Sequence, residues 1–236
     1  MLLRHHDAAN LAAECARCGV RSASVCAVVP DEDIEQLATY TQHLEFEAGQ
    51  TFINQDEPAE DFFVVTEGHA RLCTLMPDGR RQVTGFASPG QFLGLAADGN
   101  YAFNAEALTP LKLCRVTRHG LKLLMSQFPQ LEQRLLTEAS RELSVAQGRM
   151  LLLGRKTARE RLASFLTEHA GMAACRDVIV LPMTRTDIAD YLGLTIETVS
   201  RTLNALRRDG LIEIDHVTRI RLLDRPALED IAAGGA

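Results

Sequence analysis

The stretch Met183-Thr-Arg-Thr-Asp-Ile-Ala-Asp-Tyr-Leu-Gly-Leu-Thr-Ile-Glu-Thr-Val-Ser-Arg201 decides the architecture. Thr184 followed by Asp187 predicts a helix start, with the hydroxyl capping and the carboxylate meeting the positive end of the helix dipole. Ile188, Ala189 and Leu192 form the inner face of a short helix, and Gly193 supplies the tight turn after it. Thr195 caps a second helix from Ile196 to Arg208, which Gly210 ends. On that helix Val199, Leu203 and Leu206 share one face, and Glu197, Arg201, Asn204 and Arg208 share the other, with Ser200 beside Arg201. Two short helices joined by a glycine turn, the second with a polar face of base-reading groups, predict a helix-turn-helix for double-stranded DNA. The expected contact residues are Thr184, Arg185, Thr195, Glu197, Thr198, Ser200, Arg201 and Asn204. Arg201 can donate a pair of hydrogen bonds to guanine, and Glu197 can accept from a cytosine or adenine amino group. Leu211–Ile214 and Arg219–Leu223 read as the two strands of a β-wing.

Working back toward the N-terminus, Pro129 suits the first turn of a helix, where its missing N–H costs nothing. Leu131, Leu135, Ala139, Leu143, Ala146, Met150 and Leu153 follow at spacings of 4, 4, 4, 3, 4 and 3, one stripe of near coiled-coil period. A helix of roughly seven turns is long for so small a domain. The stripe therefore predicts a homodimer interface. Gly148 is tolerated inside it, and Gly154 marks a hinge before Arg155.

Between Leu44 and Val116 short apolar runs alternate with turn signals such as Gly49-Gln50, Glu67-Gly68, Asp78-Gly79 and Pro89-Gly90. That punctuation predicts an antiparallel β-roll or sandwich, with Phe62-Phe63-Val64-Val65 as a buried strand. Residues 1–30 form a cysteine-bearing arm with no core of its own. The resulting α+β organisation is arm 1–30, β-roll 31–127, dimerisation helix 128–154 and winged helix-turn-helix 155–236.

The net charge of −6 is unevenly spread. Residues 1–154 carry all of it, whereas residues 155–236 are balanced and hold eleven Arg against one Lys. Arg suits phosphate and base-edge recognition, so a local basic face remains open to the C-terminal part. No apolar run approaches the roughly 20 residues that span a bilayer, and the first ten residues have no apolar signal core. A cytoplasmic protein with no membrane partner is expected. In that compartment Cys15, Cys18, Cys26, Cys73, Cys114 and Cys175 are not expected to pair as structural disulfides. Catalysis is not expected either: no phosphate-binding loop, zinc-protease helix or nucleophile elbow occurs. His43, His69, His119, His169 and His216 are scattered without partners.

The order of roll, long helix and helix-turn-helix resembles the CRP/FNR superfamily of bacterial regulators. The run from Met183 to Arg201 is very similar to that family's DNA-reading segment, and Glu197, Ser200 and Arg201 form its FNR-type version. Residues 151–165 resemble the same branch, and the similarity covers about Cys15 to Leu223. The resemblance implies a jelly-roll sensor domain of the cyclic-nucleotide-binding type. It also implies an oxygen-labile 4Fe–4S cluster held by Cys15, Cys18 and Cys26, spaced C-x2-C-x7-C as in α-proteobacterial FNR-like proteins, and by Cys114. Cys73 and Cys175 match no ligand position.

Chemistry alone leaves three uses for these thiols open: a cluster, structural zinc or a bare thiol switch. Arg17, Arg21 and Arg115 are near in sequence and favour thiolates, and Glu14 is the nearby acid on the arm. Relatives that bind cyclic AMP hold its phosphate with an Arg-Ser pair that aligns here with Tyr101-Ala102, which supply no positive charge. Phe92, Leu93, Leu95, Tyr101 and Phe103 suggest a filled apolar pocket there. A cluster-free, constitutive regulator of the same fold is a further alternative. Enteric relatives carry an acid on the dimer helix where Ala146 aligns, with Glu138 and Glu142 nearby here, so the resemblance implies weaker oxygen control of dimerisation. It also implies a near-palindromic operator and contact with RNA polymerase through an exposed loop such as Asp78-Gly79-Arg80.

Overall fold

The computed structural model describes residues 8–96, 98–172, 177–216 and 218–235. Cys175, for which the sequence suggests no role, lies outside the described residues. The chain divides into two compact units, one of residues up to 80 with 84–143, the other of residues 81–83 with 144–236.

In the first unit α1 (Ala8–Ala16), three short 3-10 turns and α2 (Ile34–Thr39) lead into the roll. Its strands are β1 (Thr41–Phe46), β2 (Thr51–Ile53), β3 (Asp61–Glu67), β4 (Ala70–Leu75), β5 (Arg81–Ala87), β6 (Phe92–Leu93), β7 (Asn104–Ala107) and β8 (Leu111–Thr117). They form two four-stranded sheets, ordered β1-β8-β3-β6 and β2-β7-β4-β5. The helices α3 (Arg118–Gln127) and α4 (Gln130–Arg155) follow.

The first sheet is buried on both faces, which explains the unbroken run Phe62-Phe63-Val64-Val65 in β3. Phe63 and Val65 enter one core with Leu111 and Leu113 of β8. Phe62 and Val64 enter a second core with Cys114 and Val116. Successive strand residues face opposite sides, so the period of β8 alone sets Cys114 on the second side. Ala12 and Cys15 of α1, Val25, Val29, Leu37, Leu121, Leu124 and Phe128 close that second core, as do Leu131 and Leu135 of α4.

This placement corrects part of the expected dimer stripe. Leu131 and Leu135 are 3% and 8% exposed and belong to the core of their own unit. The outward apolar stripe starts one residue later, at Leu136, which is 69% exposed. From there Leu136, Ala139, Leu143, Ala146, Met150 and Leu153 run at spacings of 3, 4, 3, 4 and 3, a strict heptad seam. Leu143 and Met150 are also exposed. Gly154 is not a hinge: α4 continues through it to Arg155 and breaks at Lys156-Thr157.

The five residues expected to fill one nucleotide pocket divide between the two cores. Phe92 stacks on Phe62 and, with Leu95, belongs to the second core. Leu93, Tyr101 and Phe103 belong to the first.

The second unit contains α5 (Ala158–Met172), β9 (Val178–Val180), α6 (Arg185–Leu192), α7 (Ile196–Arg208), β10 (Ile212–His216), β11 (Arg219–Leu222) and α8 (Arg225–Ala233). The wing is wider than expected, an antiparallel sheet ordered β10-β11-β9. Phe165, Leu166, Ile188, Leu192, Val199, Leu203, Leu206 and Leu228 are fully buried or nearly so. Arg161 knits the helix ends together: it donates to the carbonyls of Leu153, Lys156 and Leu192 at 2.8–2.9 Å. These are the orphan acceptors that terminate α4 and α6.

Candidate thiol and DNA-reading sites

The arm reaches the roll because its apolar residues recur where a helix and two tight turns present them together. Ala12 and Cys15 lie three apart on one face of α1. Ser24 then starts a 3-10 turn over Val25–Val28, its Oγ accepting from the Cys26 amide at 3.3 Å and donating to the Arg21 carbonyl at 3.0 Å. The result is that Cys15, Cys18, Cys26 and Cys114 all line one cavity of about 670 Å³. Cys114 lies across from His43 on β1 and from Val64 on β3. Cys73 is buried in the roll and does not line the cavity.

The polar lining is mixed. Arg17, Arg21 and Lys112 supply positive charge, and Glu14, Glu45, Glu47 and Glu67 negative. Lys112 is paired with Glu67 at 2.9 Å. Arg21 closes the loop that carries Cys26, bonding Asp31 and the Val29 carbonyl. Arg115, expected near the thiols, turns to the other side of its strand and pairs with Asp61 at 2.9 Å. His43, read from sequence as partnerless, is bonded through Nδ1 to Glu14 of α1. That bond spans 29 residues and has no local sequence signal.

Burial pushes the Cys15 thiol up, although the Thr41 hydroxyl opposes the shift. Burial likewise raises Cys26 to about 11, against the Ser24 hydrogen bond and the Arg21 charge. Cys114 is raised well above the ordinary thiol value, again chiefly by burial. Such thiols are neutral at physiological pH and unlike the low-pKa cysteines of thiol switches. A metal must displace their protons to bind, so ligation strengthens as pH rises. Among the described residues no three His, Cys, Asp or Glu side chains gather about one point as a single ion requires.

A stability prediction follows for the reduced, metal-free protein. Unfolded thiols ionise near 9.0, whereas folded Cys26 holds its proton to about 11. Between those values the unfolded state binds fewer protons, so the contribution of Cys26 is full below pH 9 and is lost toward pH 11. Denaturant melts of wild type and Cys26→Ser across that window should show the wild-type advantage shrink by on the order of 1 kcal/mol. A constant difference would contradict the buried-thiol assignment.

In the DNA-reading unit the expected capping box is complete. Thr184 Oγ1 accepts from the Asp187 amide at 3.1 Å, and Asp187 accepts from the Thr184 amide at 2.9 Å. Gly193 ends α6 in the left-handed region, at φ 60°. A side chain there would be strained and would also meet Leu153 and Arg161. Thr195 Oγ1 accepts from the Thr198 amide at 3.2 Å and opens α7. Val199, Leu203 and Leu206 are buried, and Glu197, Arg201, Asn204 and Arg208 are exposed on the other side. Thr184 and Thr195 are exposed too; Arg185, Thr198 and Ser200 are partly buried. The backbone amide of Glu197 at the helix start, then the Thr195 hydroxyl and Arg201, holds the Glu197 carboxyl below its usual range. Glu197 is thus a pure acceptor at neutral pH. Arg201 reaches the Thr198 hydroxyl at 3.4 Å, leaving most of its donors available to a base.

Replacing Arg201 by Ala should remove about 1–3 kcal/mol of discrimination at one guanine of the operator. Titration of the variant against every single-base operator change checks this, and unchanged discrimination at all positions would refute the assignment.

The position aligned with a phosphate-binding Arg holds Tyr101, which is 6% exposed. Its Oη donates to the Asp61 carbonyl at 2.8 Å and accepts from the Asp61 amide at 3.2 Å. Both polar functions are thereby consumed inside the roll. The turn at Asp78-Gly79-Arg80 is exposed, with Arg80 donating back to Asp78 through both its amide and Nε. Among the described residues no helix is long and apolar enough to cross a membrane.

Residues 43–128 match the cyclic nucleotide-binding domain family and residues 160–231 the Crp-like helix-turn-helix domain family. The nitrogen fixation regulation protein FixK of Bradyrhizobium diazoefficiens is 40% identical over 223 residues, covering 93% of this chain and 94% of FixK. The transcriptional activator protein FnrL of Cereibacter sphaeroides is 36% identical over 231 residues, 93% of this chain and 92% of FnrL. The solved structure of FixK2 from Bradyrhizobium japonicum superposes with a TM-score of 0.79 at 37% identity, over 83% of this chain and 99% of FixK2.

Proposed function

The chain belongs to the CRP/FNR family of DNA-binding transcription regulators, and from that membership we propose that it is an oxygen-controlled homodimeric activator. In this reading Cys15, Cys18, Cys26 and Cys114 hold a 4Fe–4S cluster in the cytoplasm. The observation that carries it is the meeting of three arm thiols and one β8 thiol at a single cavity. Their spread around a space, rather than about one point, suits a polynuclear body better than zinc, whose sulfur ligands sit at about 2.3 Å from one ion. Burial raises the Cys15, Cys26 and Cys114 thiols, which weighs against a bare thiol switch. Tyr101 weighs against cyclic-nucleotide control.

The cluster, when bound, supplies an oxygen-labile centre with a net negative charge. Around it Arg21 and Arg17 contribute compensating charge, and Arg21 keeps the Cys26 loop closed. Cys15 and Cys114 belong to the same core as Leu131 and Leu135, so order in the arm is order under the first turns of α4. Two chains pair through the seam from Leu136 to Leu153. The paired α7 helices then meet half-sites of a near-palindromic operator about one helical turn apart. Losing the arm's ligation biases this two-state element toward a weak binder. Activation is the reading supported by the name of FnrL, and the exposed Asp78-Gly79-Arg80 turn is the candidate contact for RNA polymerase.

Operator titrations of one preparation, first under nitrogen and then after air, test the proposal. Affinity should fall in air together with the visible absorption of the cluster. A colourless protein with stoichiometric zinc, or tight cyclic AMP binding by calorimetry, would replace this reading.

A further inference from the structure

We propose that Arg134 is the positioning residue that couples the cysteine arm to the dimer-forming half of α4. This rests on the sensing reading above and adds the residue through which it acts. Arg134 lies in the second turn of α4, where three consecutive residues have three different environments. Its guanidinium donates from Nη2 to the carbonyl of Ala23, in the loop between Cys18 and Cys26, at 3.3 Å. The same Nη2 lies 3.2 Å from Glu138, one turn further along the helix. Leu135 is packed in the core shared with Cys15, Cys26 and Cys114. Leu136 begins the exposed seam.

The geometry makes the Ala23 bond dependent on the arm's position. Among the described residues Arg134 Nε is buried without an acceptor, so the side chain is held by its terminal nitrogens. If the 18–26 loop withdraws, Nη2 loses the Ala23 carbonyl and keeps Glu138. On its other side the loop meets the Gly90 turn of the roll, where even a methyl group would be 3.5 Å from the Ala23 side chain. The loop is thus held between roll and helix, and Arg134 is the polar half of the grip. A charged donor bonded to a carbonyl is worth more than a neutral pair, and here that difference is available only when the arm is docked.

The test compares wild type, Arg134→Ala and Arg134→Lys by sedimentation, each loaded under nitrogen and again after air has removed the cluster, with visible absorption confirming equal loading. Hydrogen exchange of residues 18–28 is followed under nitrogen in the loaded proteins. The Ala variant should load normally and dimerise like wild type when cluster-free, yet lose about tenfold of the gain in dimerisation that loading gives. Its arm should exchange faster, and Lys should recover part of both effects. An Ala variant with the full wild-type gain, or with unaltered arm exchange, overturns the role of Arg134 alone. A wild type whose dimerisation is the same loaded and cluster-free overturns the sensing reading and the coupling together.

Discussion

Cys114→Ser is expected to stay colourless under nitrogen and to bind the operator with the affinity of air-exposed wild type. The loss should lie in the range of about 5–150-fold typical of coupled sites. The reason is positional. Among the described cavity thiols Cys114 is the one on a strand, so in the proposed reading it would be the ligand that fixes the arm to the sheet. The three arm thiols lie within twelve residues of one another and can gather without the roll; only residue 114 makes their gathering a tertiary event. Serine fills nearly the same volume, and the cost of burying its hydroxyl falls on stability, not on DNA contact. Cys73→Ser is the matched control: it alters a buried thiol of the same roll away from the cavity and should keep both colour and oxygen response. Equal behaviour of the two variants would contradict the ligand assignment.

The second large effect is expected at Leu143. It lies in the middle of the heptad seam and is 61% exposed in the single chain. Leu143→Glu therefore leaves the protomer's own packing alone. In a symmetric pair the same residue is altered twice. Burying one Leu side chain is worth about 1.5–3 kcal/mol, so two lost leucines amount to a weakening of dimerisation by at least about a hundredfold, before any charge repulsion. Operator binding should fall with it, because a monomer holds only one half-site. Leu151→Glu is the control, since Leu151 is 59% exposed but off the seam. Sedimentation equilibrium distinguishes them: a monomeric Leu143 variant beside a dimeric Leu151 variant is the predicted outcome, and two dimers or two monomers would remove the seam from the account.

The seam also shows where sequence reasoning reached its limit. Leu131, Leu135 and Ala139 are spaced as regularly as Leu136, Ala139 and Leu143. Periodicity identifies an apolar face but not what covers it. On α4 the covering changes between Leu135 and Leu136, from the protein's own core to the outside, and only the tertiary fold reveals that change. The helix-turn-helix was legible because each of its parts is local: a capping box four residues long, a left-handed glycine, and a 3–4 spacing that separates Val199, Leu203 and Leu206 from Glu197, Arg201 and Asn204. Strand β9 has no sequence signature, because three residues carry too little pattern to separate a strand from a loop.

The thiol site falls between these cases. Alternation along β8 fixes the face of Cys114, but nothing local in residues 8–30 states that they fold back onto that face. Arg21 bonding Val29 and Asp31, Glu14 bonding His43, and Arg134 bonding Ala23 join segments 8 to 111 residues apart. Such bonds have no spacing signature. The expectation for Arg115 failed for the complementary reason: its neighbour in sequence, Cys114, faces the opposite side of the same strand.

Native mass spectrometry of the protein purified and sprayed under nitrogen weighs what each chain carries and counts the chains that pair. A dimer in which each chain carries four irons and four sulfides is expected, and brief air exposure should strip that mass and raise the monomer fraction. A dimer carrying one zinc per chain, or a metal-free dimer indifferent to air, would contradict the sensing reading.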